Sequence, residues 1–210
     1  MGITMNTTRH NIKFYKYILY YFIFSIIFTI FAMVICFKIN IISHLFPSYY
    51  SCDNNIDELY KNDVSSIYGT ATNLYYSGYD YIINNVVKAH YYYTLNNNTC
   101  TIYLISSNKL KNPDIPPITI ETLNFTANLE SHNQQIKSLL NYMAADLKWN
   151  YDGLSKYTQS IFINEYNYHI EIYVIIAILT ILGFVLSIVF GFIIILQASH
   201  IPRIYTKSKL

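Results

Sequence analysis

Apolar residues in this chain fall into two long runs that are separated by a polar middle. The first run covers the 21 residues from Tyr17 to Phe37, and the second covers the 25 residues from Ile172 to Leu196. Neither run contains a charged side chain. A helix rises about 1.5 Å per residue and the hydrocarbon core of a bilayer is about 30 Å thick, so each run is long enough to span it. The pattern predicts transmembrane helices within residues 17–42 and 171–196.

The first of these runs is predicted to stay in the mature protein. It starts later than a cleaved secretory signal usually does, and no small-residue cleavage site follows it. We therefore interpret it as a retained signal-anchor helix.

Small residues recur every three or four positions in both apolar runs. In the first run they are Ser25, Thr29, Ala32 and Cys36, and in the second they are Gly183, Ser187 and Gly191. Such a stripe lets another helix backbone approach closely. The two stripes can pack against each other within one chain, or one of them can bind another protein or a second copy.

A third pattern lies between the runs, where apolar positions alternate steps of three and four. Asn133 and Asn150 occupy two of its ten positions, and the other eight are Leu129, Ile136, Leu140, Met143, Leu147, Leu154, Tyr157 and Ile161. A repeat of 3.5 residues is typical of a coiled-coil packing seam. We expect a long helix that continues into the second transmembrane helix, with a possible kink at Asp152-Gly153.

The segment before this seam gives a weaker helical signal. Spacings of three and four from Tyr60 to Leu74 favour a helix, whereas residues 74–94 fit a helix or a strand because they are rich in tyrosine. Thr99 to Ile105 is predicted as a short strand, and the prolines at 113, 116 and 117 favour an extended cap. The predicted fold is mainly α, with residues 43–170 forming antiparallel long helices below a short β and loop cap.

Charge is distributed unevenly around the two runs. Three basic residues precede the first run (Arg9, Lys13, Lys16) and three follow the second (Arg203, Lys207, Lys209). Between them lie twelve acidic residues against seven lysines, from His44 to Glu171. By the positive-inside tendency, the tails 1–16 and 197–210 are cytoplasmic and residues 43–170 are extracellular or lumenal.

Two features of the middle segment agree with that topology. Asn97 and Asn124 each begin an Asn-X-Thr glycosylation motif. Cys52 and Cys100 are the two cysteines of this segment, so an oxidising lumen allows one disulfide that closes about 48 residues and stabilises by about 4 kcal/mol. Cys36 lies in the first apolar run and is expected to be a packing residue.

The motifs for common chemistry are missing from the sequence. It has no G-x-S-x-G, no H-E-x-x-H, no phosphate-binding glycine loop and no paired cysteine motif. The basic tails are too short to indicate nucleic-acid binding. Neither apolar run holds the ionisable residue that usually marks a transport path. We therefore predict no catalytic residue, metal, cofactor or small-molecule substrate.

These observations favour a non-enzymatic role in a membrane. We expect an accessory or cell-surface interaction subunit that contacts lipid and binds other membrane proteins or a second copy of itself. The alternatives are a homo-oligomeric two-span channel and an adhesion or membrane-fusion protein. The last three residues, Ser208 to Leu210, spell a peroxisomal address. Two spans and lumenal glycosylation motifs favour the plasma membrane or another secretory membrane instead.

Overall fold

The computed structural model describes residues 3–51, 55–96, 98–112 and 115–200, with side chains from residue 16 to residue 196. The chain divides into two compact units. The helix pair comprises residues 1–41 and 171–210, and the barrel domain comprises residues 42–170.

The helix pair is built from α1 (Ile3–Lys38) and α6 (Ile170–His200). Each contains a segment long and apolar enough to cross a membrane, Lys16–Lys38 in α1 and Ile170–Leu196 in α6. Many large apolar side chains of both segments are exposed, among them Phe24 at 69%. Exposed apolar surface of this kind suits contact with lipid and not with water.

The two small-residue stripes lie against each other within the helix pair. Ser187 Oγ lies 3.1 Å from Ser25 Oγ and 3.3 Å from Thr29 Oγ1. Nearer the other end, Cys36 Sγ lies 3.3 Å from Thr180 Oγ1. Ala32 is 9% exposed, and Gly191 packs beneath the ring of Phe22. The two stripes therefore contact each other within this chain.

Among its described residues, the barrel domain contains six strands and four short α-helices. In chain order they are α2 (Ile41–Leu45), β1 (Ser48–Tyr50), α3 (Ile56–Lys61), β2 (Ser66–Ile83), β3 (Val86–Asn96), β4 (Thr99–Ser106), β5 (Thr119–Ser131), α4 (Gln134–Asp146), α5 (Tyr151–Tyr157) and β6 (Ile161–Asn164). The prediction of a helical domain over residues 43–170 is therefore wrong, and residues 74–94 are mostly strand.

Five of the strands pair in a closed ring. β2 pairs with β3, β3 with β4, β4 with β6, β6 with β5, and β5 with β2. The β4–β6 pair is parallel and the other four are antiparallel. β2 closes the ring because Ser66–Tyr75 pairs with β5 while Tyr75–Ile83 pairs with β3. β1 adds a parallel partner along the first half of β2.

Two hydrophobic clusters form on the two sides of this ring. The inner cluster takes residues from all five strands, including Leu74, Tyr103 and Phe125. The outer cluster joins β3, β4 and β6 to α4 and α5, with Ile102 and Leu140 among its members. Successive strand residues face opposite sides, so β4 and β6 are buried on both faces.

The helical spacing before residue 74 is produced by a bent strand. Ile67, Ala71 and Leu74 of β2 are fully buried at steps of four and three. Between the first two lies Gly69, where an added Cβ would collide with the carbonyl of Tyr50 in β1. Asn73 has a φ of 52°, which changes the face that the next residues present. The missing side chain at Gly69 and the left-handed backbone at Asn73 thus produce buried positions with the spacing of a helix.

The predicted seam from Leu129 to Ile161 is also not one helix. Leu129 belongs to β5 and Ile161 to β6, whereas Ile136, Leu140 and Met143 share α4. The two asparagines within the pattern begin helices instead of continuing one. Asn133 Oδ1 accepts a hydrogen bond from Ile136 N at 3.0 Å, and Asn150 Oδ1 accepts one from Gly153 N at 2.6 Å. Both are N-caps, so the pattern contains two separate helix starts.

A buried polar cluster fastens the two ends of the barrel domain together. Ser66 Oγ donates to Asn128 Oδ1 at 2.8 Å, and His44 Nδ1 lies 3.1 Å from the same oxygen. His44 Nδ1 also lies beside Ser66 Oγ, so the three side chains form one cluster. Asn128 Nδ2 donates to the carbonyl of Asn167, and the Tyr168 hydroxyl donates to the carbonyl of His44 at 3.0 Å. The cluster holds α2 beside the segment that leads into α6.

His132 is a half-buried base whose Nε2 atom is buried. Its Nε2 has no hydrogen-bond partner within the described part of the chain. Burial lowers the pKa of His132 below its usual value of 6.5, and the positive charge of Lys137 adds to this effect while Asp57 opposes it. The folded state therefore resists protonation of this imidazole.

We predict that substitution of Gly183 by leucine destabilises the helix pair. A Cβ at this position would lie 3.0 Å from Phe28 Cδ1 and from Thr29 Oγ1, so the two helices would have to separate. Overpacking of this kind typically costs about 1–3 kcal/mol. Thermal unfolding of the detergent-solubilised chain measures the loss. Val185→Leu is the matched control because residue 185 is 47% exposed; equal melting temperatures for the two variants would contradict the prediction.

We predict that His132 makes stability depend on pH. The unfolded chain takes up a proton near pH 6.5 that the folded chain resists, so the free energy of unfolding falls as the pH is lowered through that value. Denaturant unfolding of wild type and His132→Gln at pH 5, 6, 7 and 8 measures this, and the variant should lose less stability between pH 7 and 5. The exposed His169→Gln is the control and should follow wild type. Parallel curves for His132→Gln and wild type would show that the prediction is wrong.

Candidate functional site

An open groove of about 880 Å³ lies on the outer side of the barrel, where β3 and β4 meet the end of α4 and α5. Its volume falls within the usual range for ligand sites, roughly 300–1,000 Å³. The lining is aromatic and aliphatic with few polar groups. It consists of Tyr76, Ser77, Tyr93, Leu95, Asn98, Cys100, Met143, Asp146, Leu147, Trp149, Leu154 and Tyr157.

Trp149 is the most distinctive residue of the groove and the only tryptophan of the chain. It follows α4 in a tight turn, in which Lys148 has a φ of 53° and Trp149 N donates to Ala144 O at 2.8 Å. The indole stacks on Tyr157 with a centroid distance of 5.8 Å and an interplanar angle of 27°. The side chain of Trp149 nevertheless remains 48% exposed. A large aromatic ring is thus held in one position while it faces solvent.

Gly153 makes this position possible. A Cβ at residue 153 would lie 2.7 Å from Trp149 Nε1 and 3.0 Å from Trp149 Cε2. Only a residue without a side chain lets the indole pass so close to the first turn of α5. The side chain of Asn150 caps the same turn, because its Oδ1 accepts a hydrogen bond from Gly153 N.

The facing wall of the groove is also rigid. The Tyr76 hydroxyl donates to Asp80 Oδ1 at 2.7 Å, and His90 Nδ1 lies 2.6 Å from the same oxygen. His90 is 1% exposed, so this network is anchored in the barrel. Burial, followed by the hydrogen bond to Asp80, raises the pKa of Tyr76, which keeps the phenol protonated and able to donate. Tyr93, beside it, packs on Tyr75 at 5.8 Å.

The charge of the groove is negative. Asp146 is the one acidic residue among the described residues of the lining, which include no lysine, arginine or histidine. The Tyr79 hydroxyl donates to Asp146 Oδ2 at 2.7 Å and orients the carboxylate; this bond raises the pKa of Tyr79. Asp146 also ends α4, whose last turn has no basic residue to balance the partial negative charge of a helix C-terminus.

Cys100 forms part of the groove wall and is not a reactive group there. It is 4% exposed, and burial raises the pKa of its thiol to about 11. The thiol is therefore protonated at neutral pH and is a poor nucleophile. Cys36 and Cys100 form no disulfide with each other or with another described residue, and Cys52 lies outside the described residues. The Cys52–Cys100 disulfide stays a prediction.

Only one of the two motif asparagines lies within the described residues. Asn97 is outside the described residues. Asn124 is exposed on β5, where its Oδ1 accepts a hydrogen bond from Thr70 Oγ1 at 2.6 Å. Use of either motif stays a prediction.

A second polar cluster of the described chain is buried. Ser66, His44 and Asn128 resemble a nucleophile and its base in composition, but Ser66 is 0% exposed and cannot meet a substrate. No group of three or more histidine, cysteine, aspartate or glutamate side chains with the geometry of a metal site occurs among the described residues.

Sequence patterns alone did not reveal the groove. Leu147, Leu154 and Tyr157 were expected in a helix-packing seam, and the structure instead places all three in the groove lining. The signals that could have indicated the site were the single Trp149 and the glycine four residues after it. Neither forms a recognised motif, and their meaning depends on the turn between α4 and α5.

We predict that Gly153→Ala displaces the indole of Trp149. The added methyl group cannot fit 2.7 Å from Nε1, so the ring must rotate off Tyr157 and become more exposed. Because the chain has one tryptophan, its fluorescence emission should shift to longer wavelength. Lys156→Ala, at an exposed position of the same helix, is the control. An unchanged spectrum for Gly153→Ala would mean that glycine is not required to position the ring.

No protein-family model matches this chain, and it has no significant match among curated proteins or solved structures.

Proposed function

We propose that this chain is a two-span membrane glycoprotein whose barrel domain is a non-enzymatic interaction subunit that binds a partner protein through the groove around Trp149. The observation that carries the proposal is the fixed, exposed indole beside further apolar side chains. Leu95, Leu147 and Tyr157 at the groove are 68%, 61% and 48% exposed. Soluble surfaces rarely group such residues unless they bind something.

The aromatic content of the groove supports a protein partner. Tryptophan and tyrosine are enriched among the residues that contribute most to binding between proteins. They cost little conformational entropy when their rings are already held in place. Trp149 is held by Tyr157 and Gly153, and Tyr76 by Asp80. The groove is therefore prepared for binding before a partner arrives.

The charge distribution supports the proposed topology. Both flanking tails are basic, and residues 42–170 carry eleven acidic residues against seven lysines. We propose that the tails are cytoplasmic and that the barrel domain is outside or in a secretory lumen, where Asn97 and Asn124 can be glycosylated. A plasma membrane or another secretory membrane fits this arrangement.

The two alternatives receive less support. A fusion protein needs an exposed apolar segment, and the candidate Thr101–Ile105 lies in β4 with every residue at most 5% exposed. A channel lined by polar side chains of these membrane helices receives less support, because Ser25, Thr29 and Ser187 face one another within the helix pair.

We predict that a photo-crosslinking amino acid in place of Leu147 captures a discrete partner protein in cells. Residue 147 is exposed at the groove and does not help to hold Trp149, so replacement should leave the groove intact. Mass spectrometry of the cross-linked band identifies the partner. Adding Trp149→Ala should reduce the yield at least tenfold, since truncation of a central aromatic residue commonly costs 2 kcal/mol or more, roughly 30-fold.

A probe at Tyr68 serves as the control. This residue is 47% exposed on β2 and does not line the groove, so it should not give the same band. The same band from both positions, or one that survives Trp149→Ala, would contradict the proposed site. Glycosidase should increase the mobility of the cross-linked chain but not that of an Asn97→Gln, Asn124→Gln double variant. A chain without a glycosidase shift would contradict the lumenal placement of the barrel domain.

A further inference from the structure

We propose that the groove recognises an arginine side chain presented by the partner protein. This inference rests on the proposed function and adds the chemistry that the partner must supply. It follows from the arrangement of rings, charge and apolar edges around Trp149.

The rings provide a surface for a flat cation. One face of the Trp149 indole is occupied by Tyr157, and the side chain is still 48% exposed. The exposed π surface of a tryptophan attracts cations more strongly than that of other aromatic residues. A guanidinium group is planar and weakly hydrated, so it stacks on such a ring better than an ammonium group does.

The charges favour the same ligand. Asp146 contributes a carboxylate that is oriented by Tyr79 at 2.7 Å, and it ends a helix without a basic residue in its last turn. A carboxylate accepts two parallel hydrogen bonds from a guanidinium group. Among the lining residues that the structure describes there is no basic side chain to pair with Asp146.

The apolar edges suit the rest of an arginine side chain. Leu95 and Leu147 are highly exposed at the groove, and Met143 lies on its floor. The methylene stem of arginine buries along apolar surface while its charged end reaches a polar group. A neutral polar side chain would leave Asp146 without a counter-charge, and an acidic one would be repelled.

The test uses the purified full-length chain in detergent and two short peptides. Acetyl-Leu-Arg-Leu-amide is the probe, and the same peptide with citrulline is the control, because citrulline has nearly the same shape without the charge. Trp149 fluorescence reports binding directly, since it is the only tryptophan. The arginine peptide should give a saturable change, and the citrulline peptide should bind at least tenfold more weakly.

Two variants separate charge from shape. Asp146→Asn keeps an acceptor for the Tyr79 hydroxyl and should weaken the arginine peptide about tenfold while leaving the citrulline peptide unchanged. Asp146→Glu keeps the charge and should retain most of the binding. Unfolding curves for both variants show whether the domain remains folded.

Three results would overturn the inference. Equal affinity for the two peptides would show that binding does not depend on the charge of arginine. Unchanged affinity of Asp146→Asn for the arginine peptide would show that the carboxylate does not take part in binding. The absence of any response to the arginine peptide in a chain that still cross-links from residue 147 would also reject arginine recognition while the proposed function stands. Loss of both the peptide response and the cross-link would reject both proposals.

Discussion

One strand, β2, holds the barrel domain together because it pairs with three others. An 18-residue strand would extend about 60 Å if it were straight, which is far longer than a small barrel needs. Left-handed backbone at Asn73 and Gly78 bends it, and a bulge between Tyr76 and Asp80 turns its second half toward β3. The closed core and the groove wall at Tyr76 both depend on this bend. The fold and the candidate site therefore have the same structural cause.

The sequence predicted the parts of the structure that follow from unbroken patterns. Two charge-free runs gave two helices long and apolar enough to span a membrane. The apolar segment Thr99–Ile105 agrees with β4. The prediction of a helical domain was wrong because its spacing combined residues of the bent strand β2, of β5 and β6, and of two separately capped helices. Asn73 shifts the buried face of β2, while Asn133 and Asn150 start separate helices within one apparent repeat.

The groove could not be predicted because its residues acquire their meaning from distant neighbours. Trp149 needs Gly153 and Tyr157 to hold its ring, and Tyr76 needs Asp80 on the far side of a bulge. Tyrosine is so frequent along the chain that the sequence does not distinguish the tyrosines of the groove from the others. What distinguishes Tyr76, Tyr93 and Tyr157 is location at one groove, which only the closed barrel creates.

The hydrogen bond from Tyr168 to the carbonyl of His44 has a consequence for assembly of the whole chain. Residues 42–170 form a 129-residue connection between the two apolar helices. Closing a flexible connection of that length costs about 4 kcal/mol of chain entropy, which grows as the logarithm of length. Once the barrel has folded, residues 44 and 168 are already neighbours, at 3.0 Å between the bonded atoms. The helices then meet as if a short turn joined them, so folding of the barrel domain favours association of α1 with α6.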